Sequence, residues 1–145
     1  MQYEVTAPEP TEGMQALDPL VKERKAAEVQ AVALKAFGRI AEAWSLTGSE
    51  AAALADMSES TWKRAKKPNF AGALGRDQML RLSALVGLYK SLELYFTAPI
   101  STQWVKLANA GPEFDGARPL DAMIAGGLPK ILRVRGYVDA LRGGL

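Results

Sequence analysis

Apolar residues recur every three or four positions through most of the chain, which is the period of an α-helix that buries one face. The first such pattern covers Lys22–Trp44, and Asp18 and Pro19 predict where this helix begins, because Asp caps backbone N–H groups and Pro fits the first turn. Gly38 interrupts the pattern, and we expect it to mark close packing against a neighbouring element. The predicted buried stripe consists of Val29, Val32, Phe37, Ile40 and Trp44.

A second and broader apolar pattern covers Arg76–Phe96. Such a wide apolar face predicts burial on two sides, either within the fold or in a dimer. No stretch alternates apolar and polar residues as a strand does, so the predicted fold class is all-α. The remaining predicted elements are a short helix around Ser101–Ala108, a brief helix at Leu120–Ala125, a break at Gly126-Gly127 and a last helix from about Pro129 to Leu141.

Between these two patterns, residues 48–67 have the spacing of two short helices around a tight turn. Ser49 and Ser58 are the predicted N-caps of these helices, and Asp56 is predicted to adopt the left-handed backbone conformation that the turn needs. Trp62 is predicted to fill the interior between the helices. This spacing is typical of a helix-turn-helix, which places its second helix in the DNA major groove.

The outer face of the second short helix combines hydroxyl and cationic side chains, which donate hydrogen bonds to phosphates and base edges. An ordinary pair of amphipathic helices with a solvated basic face would carry the same charges, but the capped turn and the spacing of the two helices favour DNA contact. One copy would make few contacts, so a dimer reading two half-sites is expected. The predicted DNA-binding residues are Ser58, Ser60, Thr61, Lys63, Arg64 and Lys67.

The composition narrows the chemistry, because the 145 residues include no His and no Cys. Metal sites of the His/Cys type, thiol nucleophiles and imidazole bases are therefore excluded, and we expect neither a cofactor nor enzymatic activity. The net charge is +2, yet residues 1–20 carry four acidic side chains and no basic one, so the remainder of the chain is distinctly cationic. No apolar run is long enough to span a bilayer and no signal peptide is evident, which predicts a cytoplasmic protein without a membrane partner.

Three regions are predicted along the chain. Residues 1–17 lack periodicity and read as a flexible tail, residues 18–72 as the helix-turn-helix domain, and residues 73–145 as a second helical domain. The boundary is drawn in a connection rich in Gly and Pro that follows Lys67.

The C-terminal half has a distinctive order of residues: Trp104, Asn109, the run Phe114–Leu120, then Gly126-Gly127 and a closing helix. This order resembles the toxin-binding domain of the Xre/MbcA/ParS antitoxins, and residues 54–62 resemble the Xre-type helix-turn-helix of the same proteins. Together the similarity covers about residues 26–145. Two departures are Asp56, where the turn of the family has Gly, and Gly75, where a Ser or Thr cap is common.

The resemblance implies an antitoxin of a type II toxin-antitoxin system that neutralises a partner toxin and represses its own operon. The commonest partner in the family is a RES-domain toxin, which depletes NAD. In such pairs the C-terminal domain of the antitoxin forms a homodimer, and its terminal segment lies across the entrance of the toxin's active site. Carried onto this chain, the expected toxin-binding residues are Arg133, Arg135, Tyr137, Arg142, Gly143, Gly144 and Leu145.

Two other functions fit the same residues. A stand-alone transcriptional regulator would use the helix-turn-helix without a toxin partner, and a protein-only inhibitor or adaptor would use it for packing. Alanine substitution of Ser60, Lys63, Arg64 and Lys67 would abolish operator binding only where these residues contact DNA. An enzyme is the least favoured class, since acidic pairs such as Glu113 and Asp115 lie in a polar turn.

Overall fold

The computed structural model describes residues 18–143, and within that range the chain is helical and contains no strand, which confirms the predicted all-α class. The predicted flexible tail, residues 1–17, lies outside the described residues. None of the described helices is both long and apolar enough to cross a membrane. The helices are α1 (Pro19–Ala43), α2 (Gly48–Ala55), α3 (Glu59–Ala65), α4 (Arg76–Tyr95), α5 (Ile100–Gln103), which continues as a 3-10 turn (Trp104–Lys106), and α6 (Pro119–Arg142).

Helix α1 begins as predicted, with the Asp18 carboxylate accepting a hydrogen bond from the backbone N–H of Leu20 at 3.1 Å. The predicted stripe is only partly right. Its C-terminal members are buried, but Val29 and Val32 are 60% and 69% exposed. The helix has 25 residues and is therefore about 37 Å long, so its first half extends beyond the elements that cover its second half.

Helix α4 is the central element of the fold, because it packs against α6 on one side and against α1 and α2 on others. Leu82, Leu85, Leu88 and Leu92 are completely buried. The prediction that this helix is buried on two sides is thus confirmed within the fold itself.

Helix α6 changes direction at Gly127, whose φ of 66° and ψ of −156° are not helical. The predicted break at this position is confirmed, and an L-residue would be strained there. The guanidinium of Arg81 lies beside Gly127, since a Cβ on Gly127 would be 3.1 Å from Arg81 Nη2. Leu120 before the break and Ile131 after it are both buried, so the kink lets both parts of α6 reach the core.

One continuous hydrophobic core runs from Leu34 to Val138 and includes residues of both predicted halves. The connection after α3 is held by Gln30, whose side-chain amide donates to Gly72 O at 2.8 Å and accepts from Leu74 N at 2.7 Å. The division of the chain at residue 72 stays a prediction.

Candidate nucleic-acid and partner interfaces

Helix α2 begins with a reciprocal capping box. Thr47 Oγ1 accepts from Glu50 N at 3.0 Å, and Glu50 Oε1 accepts from Thr47 N at 2.9 Å. The prediction that Ser49 caps this helix is wrong, because the helix already begins at Gly48 and Ser49 lies inside its first turn. The pattern of Thr followed three residues later by Glu is the sequence signal that identifies the true cap.

The turn between α2 and α3 has the predicted geometry, with Asp56 in the left-handed region at φ 56° and ψ 55°. Its carbonyl oxygen accepts a hydrogen bond from Gln78 Nε2 at 2.8 Å, while Gln78 Oε1 accepts from Gly75 N at 2.8 Å. A single side chain at the start of α4 therefore fixes both its own helix end and the turn. Sequence reasoning missed Gln78, since its partner lies 22 residues away.

Helix α3 is capped by Ser58, as predicted, with Ser58 Oγ accepting from Thr61 N at 3.1 Å. Trp62 and Ala65 are buried, and the indole packs edge-on against Phe37 with ring centroids 5.1 Å apart. These two anchors determine which face of α3 points away from the core.

The outward face carries all six predicted DNA-binding residues, which we call the α3 surface: Ser58, Ser60, Thr61, Lys63, Arg64 and Lys67. Five of these are exposed, and Thr61 is half-buried at the edge. Thr61 Oγ1 accepts from Ser58 Oγ at 2.9 Å and from Arg64 Nη2 at 3.3 Å. The Arg64 guanidinium is thereby held on the surface, where its other N–H groups can donate to a phosphate or a guanine edge.

The predicted toxin-binding residues occupy different environments on α6. Arg133, Arg142 and Gly143 are exposed. Arg135 is half-buried, its guanidinium lying against Gly87 and 3.8 Å from the carboxylate of Asp139. Gly144 and Leu145 lie outside the described residues.

Tyr137 belongs to an aromatic cluster with Trp104 and Phe114. Its ring centroid is 5.4 Å from that of Phe114 and 6.4 Å from that of Trp104. Trp104 is only 7% exposed, so it is a core residue rather than a free contact residue. The cluster fastens the loop between the 3-10 turn and α6 onto α6 itself.

An ionic network joins the start of α2 to this loop. The Glu50 carboxylate lies 3.9 Å from Lys106 Nζ and 3.6 Å from Arg118 Nη2. Arg118 also makes two hydrogen bonds to Asp121, at 2.8 and 2.9 Å, and these lower the pKa of the Asp121 carboxyl below its ordinary value. Sequence reasoning did not find this network, because Glu50 is far along the chain from its partners Lys106 and Arg118.

Within residues 18–143, no group of acidic side chains is arranged to hold a metal ion. The α3 surface offers cations and hydroxyl groups for recognition, and the exposed part of α6 offers the cations Arg133 and Arg142. A capped two-helix unit with a cationic outward helix, packed on an all-helical core, defines a helix-turn-helix protein.

The comparisons with known proteins agree with this class. Residues 23–87 match the model of the antitoxin Xre-like helix-turn-helix domain. The chain is also similar to the uncharacterised protein y4oB of Sinorhizobium fredii, with 38% identity over 113 residues that cover 77% of this chain and 84% of that protein. The chain therefore belongs to the same family as y4oB, and its residues 23–87 are similar to the Xre-like antitoxin helix-turn-helix domain. No solved structure matches it.

Proposed function

We propose that this protein is an antitoxin that represses its own operon through the α3 surface and neutralises a RES-type, NAD-depleting toxin through the end of α6. The observation that carries the proposal is the outward cationic helix of the Xre-like unit. The packing of Trp62 on Phe37 and the hydrogen bond from Gln78 to Asp56 O hold this unit in place. The antitoxin domain that matches residues 23–87 supports the same function.

In the DNA-bound state, α3 lies in the major groove with its exposed face against the bases. Ser60 and Arg64 reach base edges, while Lys63 and Lys67 neutralise phosphates on either side. Because one short helix supplies few contacts, two copies associate through their C-terminal halves and present two α3 surfaces to two half-sites. The protein acts in the cytoplasm, where its operator lies.

In the toxin-bound state, the exposed cations Arg133 and Arg142 and the terminal residues 143–145 face the partner. A toxin cleft that accepts the anionic dinucleotide NAD is complementary to a slim cationic segment. Tyr137 and Arg135 contribute mainly by holding α6 against the loop and α4, since both are half-buried.

The proposed DNA binding is tested by titrating the promoter region upstream of the gene with the full-length protein and with the variant Lys63→Ala/Arg64→Ala/Lys67→Ala. The matched control is Lys22→Ala/Arg24→Ala/Lys25→Ala, which removes three exposed cations from the beginning of α1. We expect the α3 variant to lose binding and to have a shallower salt dependence, by about 0.9 in the logarithmic slope for each lost phosphate contact. Equal binding by both variants would overturn the assignment of the α3 surface.

The proposed neutralisation of the toxin is tested by co-expressing the protein with the toxin encoded beside its gene. Cell growth, intracellular NAD and co-purification of the two proteins are measured. We expect full-length protein to preserve NAD and Arg133→Glu/Arg142→Glu to lose protection. Rescue by the charge-reversed variant would place inhibition elsewhere on the molecule. If the intact protein binds its promoter but neither binds nor neutralises the toxin, the protein is a stand-alone regulator; neutralisation without promoter binding identifies a protein-only inhibitor.

A further inference from the structure

A long groove of about 760 Å³ separates α1 from the helix-turn-helix unit. One wall is a single face of α1 from Ala27 to Glu42, which spans about 22 Å along the helix. The other wall consists of the beginning of α2, the end of α3 and the connection that follows it. We call this feature the α1 groove; its lining includes Leu34, Gly38, Trp62, Ala65, Phe70 and Gly72.

The floor of the α1 groove is apolar, with Leu34, Trp62 and Ala65 at its base. Gly38 keeps it open, since a Cβ on this residue would have nothing within 4 Å. The expectation that Gly38 marks close packing is therefore wrong. Because Gly38 has no side chain, it leaves empty space beside α1, which a ligand of suitable shape can fill.

The rim of the α1 groove is cationic. Lys35 and Arg39 project from α1, and Lys66 and Lys67 follow α3 on the opposite wall, all four being exposed. Glu42 is the acidic residue of the lining. Because the four cations outnumber it, the net charge of the rim is positive. The complementary occupant is an elongated segment that carries both apolar and acidic side chains.

We propose that residues 1–17 of the same chain bind in the α1 groove. This segment contains Glu4, Glu9 and Glu12 and no Lys or Arg, together with the apolar side chains of Tyr3 and Val5. Its Pro-containing run from residue 7 to residue 10 favours the extended polyproline conformation, which suits a narrow groove.

The connection to α1 allows this arrangement. The segment joins the chain at Asp18, and the groove begins at Ala27, nine residues or about 14 Å along α1. Seventeen extended residues reach up to roughly 56 Å, so the segment can turn back along α1 and still cover the whole groove.

Occupation of the groove has a consequence for DNA binding, which rests on the proposed function. Lys67 belongs both to the groove and to the α3 surface, and Lys66 is its neighbour. Carboxylates placed beside these cations compete with DNA phosphates. Replacing Glu4, Glu9 and Glu12 by Gln should therefore raise promoter affinity, by roughly tenfold at most at low salt, since each exposed ion pair is weak.

Disulfide trapping tests the binding itself without reference to DNA. The chain contains no Cys, so two introduced thiols react only with each other. The test variant is full-length Val5→Cys/Gly38→Cys, and the control is Val5→Cys/Gly136→Cys. Gly136 is also a helical glycine with open space around it, but it lies on α6 outside the groove. Thermal melting checks that both variants remain folded.

We expect the groove pair to form an intramolecular disulfide at least roughly tenfold faster than the control, because the bound segment raises the local thiol concentration. High salt, or the added Glu4→Gln/Glu9→Gln/Glu12→Gln substitutions, should abolish this difference. Equal rates in the two variants would overturn the proposal, and so would a disulfide between two chains, which would assign the groove to a second copy. A fast intramolecular disulfide in a protein that never binds its promoter would refute the proposed DNA function and leave this inference standing.

Discussion

The indole ring of Trp62 packs edge-on against the phenyl ring of Phe37, with centroids 5.1 Å apart and ring planes inclined by 61°. Phe37 is completely buried and Trp62 is 2% exposed. This contact links α1 to the outward helix of the helix-turn-helix unit. The orientation of the α3 surface therefore depends on a residue pair that itself lies inside the core.

Replacing Trp62 with Ala should lower the free energy of unfolding by about 3–5 kcal/mol, because a large buried ring is lost and a cavity remains. Urea denaturation of the purified protein measures this change. Lys63→Ala is the matched control, since Lys63 is the next residue of α3 and is exposed on its outward face. A loss below about 1 kcal/mol for Trp62→Ala would show that the aromatic pair does not anchor α3.

Thr47→Ala should destabilise the protein by about 1 kcal/mol, because the N-terminal cap of α2 is lost. Ser49→Ala should change stability by no more than about 0.5 kcal/mol, since Ser49 is exposed inside the first turn. Chemical denaturation of the two variants shows which of the two residues caps α2. A larger effect at Ser49 than at Thr47 would contradict the observed capping box.

Asp56→Gly should raise the free energy of unfolding by about 0.5–1 kcal/mol, since Gly adopts the left-handed conformation at Asp56 with no Cβ penalty. Ala53→Gly provides the opposite case, because Ala53 lies within α2 and the substitution should cost about 1 kcal/mol. Thermal melting of the two variants measures the expected increase in stability for Asp56→Gly and the expected decrease for Ala53→Gly. If Asp56→Gly destabilised the protein, the Asp56 side chain would have a role that its backbone angles do not reveal.

Tyr137→Ala should cost about 2–3 kcal/mol of stability, because Tyr137 fills the cluster with Trp104 and Phe114. Arg133→Ala should leave stability within about 0.5 kcal/mol of the original protein, since Arg133 is exposed. Denaturation curves must therefore accompany any toxin-binding assay of these variants. A stable Tyr137→Ala protein that no longer binds toxin would make Tyr137 a direct contact residue.

The Arg118–Asp121 pair should make stability dependent on pH below about 3.8, the ordinary pKa of the Asp121 carboxyl, because the hydrogen bond from Arg118 lowers this pKa in the folded protein. A lowered pKa stabilises the folded state above the ordinary value, and this contribution is lost as the pH falls through the folded value. Acid denaturation of the original protein and of Asp121→Asn measures the effect. The difference between them should be present at neutral pH and shrink in acid; a constant difference would exclude the ionic contribution.

Much of the fold follows from local sequence patterns. Ser58 caps α3, Asp56 adopts a left-handed conformation and Gly127 interrupts α6, because each feature depends on residues within a few positions of it. The outward face of α3 follows from the same short-range period, since burial of Trp62 and Ala65 leaves the cationic positions exposed. The candidate DNA-binding surface was thus accessible to sequence reasoning.

Features that depend on which elements meet were decided only by the tertiary structure. The sequence pattern of α1 marks Val29 and Val32 as apolar, but burial requires a partner element, and the described fold places none against them. Gln78 fixes the turn at Asp56, and Glu50 reaches Lys106 and Arg118, because packing brings together residues that are distant along the chain. The sequence by itself determined helix positions, caps and surface charge, all of which are local. Tertiary packing decided the α1 groove, the aromatic cluster and the ionic network, because these require side chains from separate helices to meet in space.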